Sequence, residues 1–259
     1  MAESGNVGRE REFWDSEVPS LDDLVREYRA GPGIATAAML DAIGDVQGLE
    51  VLDFACGGGV TSMFLAARGA RMTALDLIPE SVARCRELAA TLGFADRVTA
   101  VAGELSDLPP KGFDAVVGRY ALHHVDVAVV APLLAARLRP GGRGAFLETF
   151  ASNPVLRVSR RHLVGRMGVP RYGTIDEHPL TAADIAAVRG AFGWATTTVP
   201  QMTFLRMFDR QVLHFRHPRL SRLLAAVDDQ LARWPRLKFL SYHQLVVCRQ
   251  VGGAPDAAG

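Results

Sequence analysis

Lysine is almost missing from this chain: Lys111 and Lys238 are the only two among 29 Lys+Arg in 259 residues. Basic charge is therefore carried by guanidinium groups, which stay ionised and suit planar, bidentate acceptors. Cysteine is scarce too. Cys56, Cys85 and Cys248 lie far apart with no CxxC or Cys/His spacing, so neither a disulfide framework nor a zinc site is expected, and all three read as buried thiols. No Asp/Asn metal triad is evident, and no bound metal is expected. No apolar run approaches membrane-spanning length, and residues 1–17 lack the basic start and apolar centre of a signal peptide, so a cytoplasmic protein without a membrane span is expected. Internal repeats are absent.

What remains is ordinary globular composition, 49% hydrophobic and 22% charged, in a length that fits one large α/β domain or two small ones. The net charge of +1 hides an asymmetry: residues 1–150 hold 14 Lys+Arg and 21 Asp+Glu, residues 151–259 hold 15 and 7, giving −7 and +8. Either the two parts complement each other when packed, or the second attracts an anionic substrate. A nucleic-acid partner is not expected, because such a footprint would be more basic overall and interleaved with aromatics.

The chain is organised around Val51-Leu52-Asp53-Phe54-Ala55-Cys56-Gly57-Gly58-Gly59-Val60. An apolar run ends in an acid, passes through three glycines and enters a helix-compatible run to Arg68, the strand, tight loop and helix of a nucleotide-binding unit. Glycine permits positive φ and removes the Cβ that would keep a polar ligand from the loop amides.

Before it, Phe13-Trp14, Leu21, Leu24, Val25 and Tyr28 fall at helical spacing; Ser20 reads as an N-cap with Asp22 and Asp23 in the first turn, and Gly31-Pro32-Gly33 as the stop. A second helix spans Ile34 to Ile43. After the loop come a strand from Arg71 to Leu77, a helix opened by Pro79 and running to Ala90, and a strand from Arg97 to Ala102. An almost wholly apolar strand follows from Phe113 to Gly118, as expected where helices cover both faces of a parallel sheet, then a helix from Asp126 to Leu138, a break at Pro140-Gly141-Gly142 and a strand from Arg143 to Phe150. Thr181 caps a helix from Ala182 to Phe192; Trp194 to Val199 and Leu240 to Arg249 read as strands six and seven. About 40 residues of helical periodicity between those two are too long for a hairpin turn and read as a cap. The alternation predicts an α/β, doubly wound, mostly parallel seven-stranded sheet with helical cap insertions. Expected divisions are an N-terminal helical lid or packing layer at 1–46, a cofactor-binding core at 47–150, the cap with the last two strands at 151–250, and a disordered, low-complexity tail at 251–259.

Together these residues resemble a class I S-adenosylmethionine-dependent methyltransferase of the methyltransferase-11/UbiE-like group, strongly over Leu49 to Phe150 and weakly elsewhere. Asp53, Gly57 and Gly59 match the acid-and-glycine motif, with Ala55 where the family has its first glycine. The resemblance implies a Rossmann-like methyltransferase fold and S-adenosylmethionine as cofactor. It also implies that Gly57 to Gly59 face the methionine moiety while Asp53 orders the loop and meets the amino group. Asp76, which lies 23 residues beyond Asp53 at a strand end, would hold the ribose hydroxyls, as a carboxylate in that place does in doubly wound folds. Leu77 follows it. Gly103-Glu104-Leu105-Ser106-Asp107-Leu108-Pro109 resembles the family's adenine-flanking segment, so Glu104 and Leu105 are the implied adenine contacts. Arg119-Tyr120-Ala121-Leu122-His123-His124 resembles the segment beside the reacting methyl group, with Arg119 on the cofactor side.

Methyl transfer from a sulfonium needs an aligned nucleophile, a dry site and, for a hydroxyl or ammonium acceptor, a base. Candidate catalytic residues are His178, His123, His124, Glu148 and Tyr120; for the two adjacent histidines, capping and packing is the competing reading, as packing is for Tyr120 and a salt bridge for Glu148. Loop residues Tyr172 and Asp176, with Arg157 of a basic helix candidate from Asn153 to Gly168, are candidate substrate contacts. That helix also reads as a solvated or membrane-surface face. Phe204, Leu205, Met207, Phe208, Val212, Leu213 and Phe215 could enclose an apolar acceptor, form core or make a homodimer interface. The expected activity is O-methylation of a small organic molecule in secondary-metabolite biosynthesis, the arginine-, alanine- and glycine-rich composition fitting enzymes that tailor metabolites. Carboxyl, nitrogen or carbon methylation, non-methylating chemistry and a non-catalytic cofactor-binding partner are the alternatives.

Overall fold

The computed structural model describes residues 18–110, 112–155, 158 and 178–251. Phe13-Trp14, most of the basic helix candidate, the Tyr172–Glu177 stretch and the glycine-rich tail lie outside the described residues.

Helix α1, Leu21–Ala30, starts where its cap predicts, with the Asp23 amide donating to Ser20 Oγ at 3.2 Å, and stops at Gly31 with φ +80°. There follow α2 (Ile34–Ala42), β1 (Glu50–Phe54), α3 (Val60–Ala67), β2 (Arg71–Asp76), α4 (Pro79–Leu92), β3 (Val98–Ala102), β4 (Phe113–Arg119) and α5 (Val127–Arg137). The chain continues through β5 (Leu138–Thr149), α6 (Ala182–Phe192), β6 (Gly193–Thr198), the short α7 (Leu205–Phe208), α8 (Pro218–Ala232) and β7 (His243–Gln250).

The seven strands form one sheet in the order β3-β2-β1-β4-β5-β7-β6. Strands β1 to β5 are parallel, and β7 is antiparallel to both β5 and β6. The strand order reverses between β1 and β4, and a crevice opens at the strand carboxyl ends at such a point. Pleat alternation sends successive residues to opposite faces: Val51 and Val117 pack under α2, α3 and α4, while Leu52 and Val116 pack under α5 and α6, all four fully buried. This double burial is why these strands are apolar without alternation.

Two expected boundaries are corrected. Strand β5 begins at Leu138, not Arg143, because Leu138 pairs with Phe113 and the Pro140-Gly141-Gly142 residues are absorbed where the register shifts between Phe113 and Ala115. Strand β7 begins at His243, not Leu240, because Pro235–Leu240 forms a 3-10 turn that runs into the buried Ser241. Among the cysteines, Cys85 and Cys248 are buried and Cys56 is half-buried.

Candidate active site

Among the described residues, four non-glycines hold positive φ, and two of them, Ala55 (+54°) and Tyr120 (+61°), follow the adjacent strands β1 and β4 at the reversal point. Left-handed backbone at a non-glycine residue costs of order 1–2 kcal/mol and concentrates where a binding loop is sharply turned. It also explains why a glycine is favoured at Ala55. Gly57 (φ +51°) and Gly59 (φ +82°) differ in purpose: a Cβ on Gly57 would enter open space, whereas one on Gly59 would sit 2.3 Å from Cys85 Sγ. Gly57 thus leaves room for a ligand and Gly59 lets α3 close on α4. A Cβ on Gly58 would meet Leu24 Cδ1 at 2.6 Å, so α1 lies directly on the loop.

Two acids flank the loop. Asp53, 1% exposed, accepts a 2.7 Å hydrogen bond from Ser62 Oγ of α3. Burial pushes its carboxyl up to about 6, opposed by the Ser62 bond and the Arg119 charge. Asp76 accepts from the Gly57 amide at 2.7 Å through one oxygen and from the Ile78 amide at 2.9 Å through the other; burial raises it, and those two bonds oppose the rise. Leu77 is half-buried beside it, Glu104 is exposed, and Leu105 is buried in the core beneath α5. Arg119 is committed to α1, its Nη1 2.7 Å from Glu27 Oε1.

Beyond Tyr120 the chain turns through Ala121-Leu122-His123-His124 around one acid. Glu148, fully buried on β5, accepts from the Ala121 and Leu122 amides at 2.8 and 2.7 Å and lies 2.9 Å from His123 Nδ1. A proton on Nδ1 completes that bond and leaves Nε2 as the nitrogen able to accept another. His124 lies against His123 with ring centroids 4.1 Å apart and planes tilted by 37°. The exposed His178 is brought to the same place, its amide donating to the His123 carbonyl at 3.4 Å. The candidates Tyr172, Asp176 and Arg157 lie outside the described residues.

Sequence reasoning missed several neighbours. His243, on the far side of the sheet sequence, lies 5.2 Å from the Tyr120 ring, and burial, then Arg210 and His123, lower its imidazole to about 4. Arg210 acts on Tyr120 as well. No local signal marks either residue, since both arrive through the cap and the antiparallel β7. Ser62 and Glu27 were legible only as helix residues, although Ser62 falls nine positions after Asp53. Among the described residues, no group of three or more His, Cys, Asp and Glu could hold a metal ion.

The loop suits a hydroxyl-bearing cofactor: Gly57 faces open space, Asp76 at the end of β2 holds its amide, and a carboxylate accepts from hydroxyl or ammonium donors. Residues 51–142, less than half of the chain, match the family profile of a methyltransferase domain, and this stretch holds the glycine loop and its strand-end acids. The match agrees with the resemblance read from the sequence, and the seven-stranded sheet bears out the Rossmann-like fold. A ubiquinone biosynthesis O-methyltransferase of Xanthomonas campestris pv. campestris (strain B100) is 40% identical over 150 residues, 55% of this chain and 57% of that protein. One of Xylella fastidiosa (strain M23) is 41% identical over 101 residues, 38% of this chain and 41% of that protein. The chain thus spans about half the length of the curated relatives it matches. In structure it is similar to the geranyl diphosphate C-methyltransferase of Streptomyces coelicolor A3(2), with a TM-score of 0.58 at 13% identity, covering 83% of this chain and 78% of that one.

Proposed function

We propose that this chain binds S-adenosylmethionine at the carboxyl ends of β1, β2 and β4 and methylates a hydroxyl of a small organic molecule. The observation that carries the chemistry is the pairing of His123 with the buried Glu148 beside the glycine loop. When bound, the cofactor supplies an electrophilic methyl group on a sulfonium. Asp53 would meet its amino group, Ala55, Gly57 and Gly59 would shape the loop around the methionine moiety, and Asp76 would take the ribose hydroxyls. Leu77, Glu104 and Leu105 line the adenine side of this reading.

His123 takes the hydroxyl proton at Nε2 while Glu148 fixes the ring and balances the imidazolium, the division of labour of a base and its orienting acid. Glu148, fully buried and spent on three bonds, is a positioning residue. His243, lowered to about 4, is too weak a proton acceptor near neutral pH to compete. His124 and His178 border the base, and Tyr120 borders the acceptor. Helix α1 is the lid, with Leu24 on Gly58 and Glu27 on Arg119. Oxygen as the accepting atom is supported by the relatives' names, which point to ubiquinone biosynthesis rather than to the secondary metabolism suggested by composition. A cytoplasmic enzyme acting without nucleic acid fits the charge and the lack, among the described helices, of one long and apolar enough to cross a membrane.

Calorimetry with S-adenosylmethionine and S-adenosylhomocysteine tests the first half; binding of neither refutes it. For the second half, a panel of catechols and phenols is assayed with His123→Asn and Glu148→Gln. His123→Asn is expected to lower kcat by at least about 100-fold with cofactor affinity intact. Full activity in His123→Asn removes His123 as the base.

A further inference from the structure

The outer face of the cap has no part in the reaction described above, and its side chains are unusual for a solvated surface. Helix α8 turns Leu224, Ala225, Asp228 and Leu231 inward, which leaves the opposite face outward. That face carries Leu223 and Val227 at 59% and 38% exposure, followed just past the helix by Trp234 at 65%. Arg219, Arg222 and Arg233, all exposed, run beside this apolar strip. α8 packs against α7 and against the Pro235–Leu240 turn, which contribute the exposed Phe208 and Phe239. Within this stretch, basic residues outnumber acids. Residues 199–242 contain three acids, of which Asp209 and Asp228 are buried and Asp229 is bonded to Arg206 at 2.9 Å. At one end of the strip an open cleft of about 410 Å³ is lined by Arg216, His217, Pro218, Arg219 and Arg222.

We propose that this face of the cap docks on an anionic phospholipid bilayer. The apolar strip and Trp234 enter the headgroup–acyl boundary, where an aromatic with a polar edge sits well, and the arginines meet lipid phosphates, with the cleft as the place for one headgroup. Guanidinium pairs with phosphate bidentately, and this surface has no lysine except Lys238. A second copy of the chain fits less well, because an isologous contact sets arginine against arginine. A nucleic acid would use the arginines and leave the aliphatic strip in water.

The test is cosedimentation of the full chain with vesicles of phosphatidylcholine alone and of equal parts phosphatidylcholine and phosphatidylglycerol, across a salt series. It needs no cofactor, so its outcome is independent of methyl transfer. Binding is expected only to the anionic vesicles and should weaken with salt. Each Lys or Arg near such a surface strengthens partition by about fivefold, so Arg216→Glu with Arg219→Glu and Arg222→Glu should lower it by about 100-fold or more. Leu223→Ser with Trp234→Ser should also lower it, with the salt dependence retained. Circular dichroism melts check that the variants fold; should they not, the lipid and salt dependence of the unaltered chain decides. Absence of binding to anionic vesicles, equal binding to phosphatidylcholine, a dimer in analytical ultracentrifugation that Leu223→Ser dissociates, or RNA that displaces the vesicles each overturns the proposal.

Discussion

At Asp53 a single buried carboxyl costs the fold stability, and the proposed function gives it a cofactor to bind. Its carboxyl, raised from 3.8 to about 6 by burial, is held less easily as an anion in the folded chain than in the unfolded one. The sign is therefore opposite to that of a salt-bridged acid: the fold carries the cost above pH 6, and the cost fades as pH falls through 6 toward 3.8. Two pKa units correspond to about 3 kcal/mol. Asp53→Asn keeps an acceptor for Ser62 Oγ and removes the charge. Without cofactor it should melt higher than the unaltered protein at pH 8 and about the same at low pH, while S-adenosylhomocysteine affinity drops about tenfold or more through the lost partner for the amino group. A lower melting temperature at pH 8 would show that the ionised carboxylate stabilises the fold. In the unaltered protein, cofactor affinity should decline as pH falls below 6, measured by calorimetry at matched ionic strength.

The elements decide how the site is closed. Helix α1 rests on the glycine loop through Leu24, its Tyr28 stacks on Phe64 of α3 with centroids 5.2 Å apart, and Glu27 reaches Arg119 at the end of β4. The ion pair is partly exposed, 29% for Arg119 and 44% for Glu27, so screening leaves it worth at most about 1 kcal/mol. Packing, not charge, holds α1 down. Glu27→Ala should accordingly shift the melting temperature by no more than a few degrees, about what 1 kcal/mol gives in a chain of this size. Its larger effect should be on exchange: if α1 is the proposed lid, stopped-flow release of S-adenosylhomocysteine should be faster once the ion pair between α1 and β4 is gone. A melting point lowered by much more than this would mean that the pair supports the fold rather than the lid.

At the scale of the molecule, the sheet depends on its last strand. β7 is inserted between β5 and β6, and among the described residues β6 pairs with no other strand. It also supplies Leu245, Val246 and Cys248 to the buried core. A chain ending at Tyr242 would expose the β5 edge, strand β6 from the sheet and remove those side chains, so it should be recovered as aggregate or without a cooperative melt. Soluble, cooperatively unfolding protein from that truncation would show that the first five strands fold by themselves. The same insertion carries His243 to Tyr120, their ring centroids 5.2 Å apart.

The amino-acid order alone determined the parallel core and the cofactor loop. Both rest on local signals: Ser20 and Thr181 as caps, doubly buried apolar strands, glycines where φ is positive, and an acid at the end of β2. Such signals act within a few residues of where they are written. Only the tertiary structure decided that Glu148 gathers the post-β4 turn around His123, that Pro140-Gly141-Gly142 lies within a strand, and that β7 runs antiparallel and brings His243 to Tyr120. Those contacts join residues distant in the chain, and their energies come from burial and pairing that exist only once the sheet has closed.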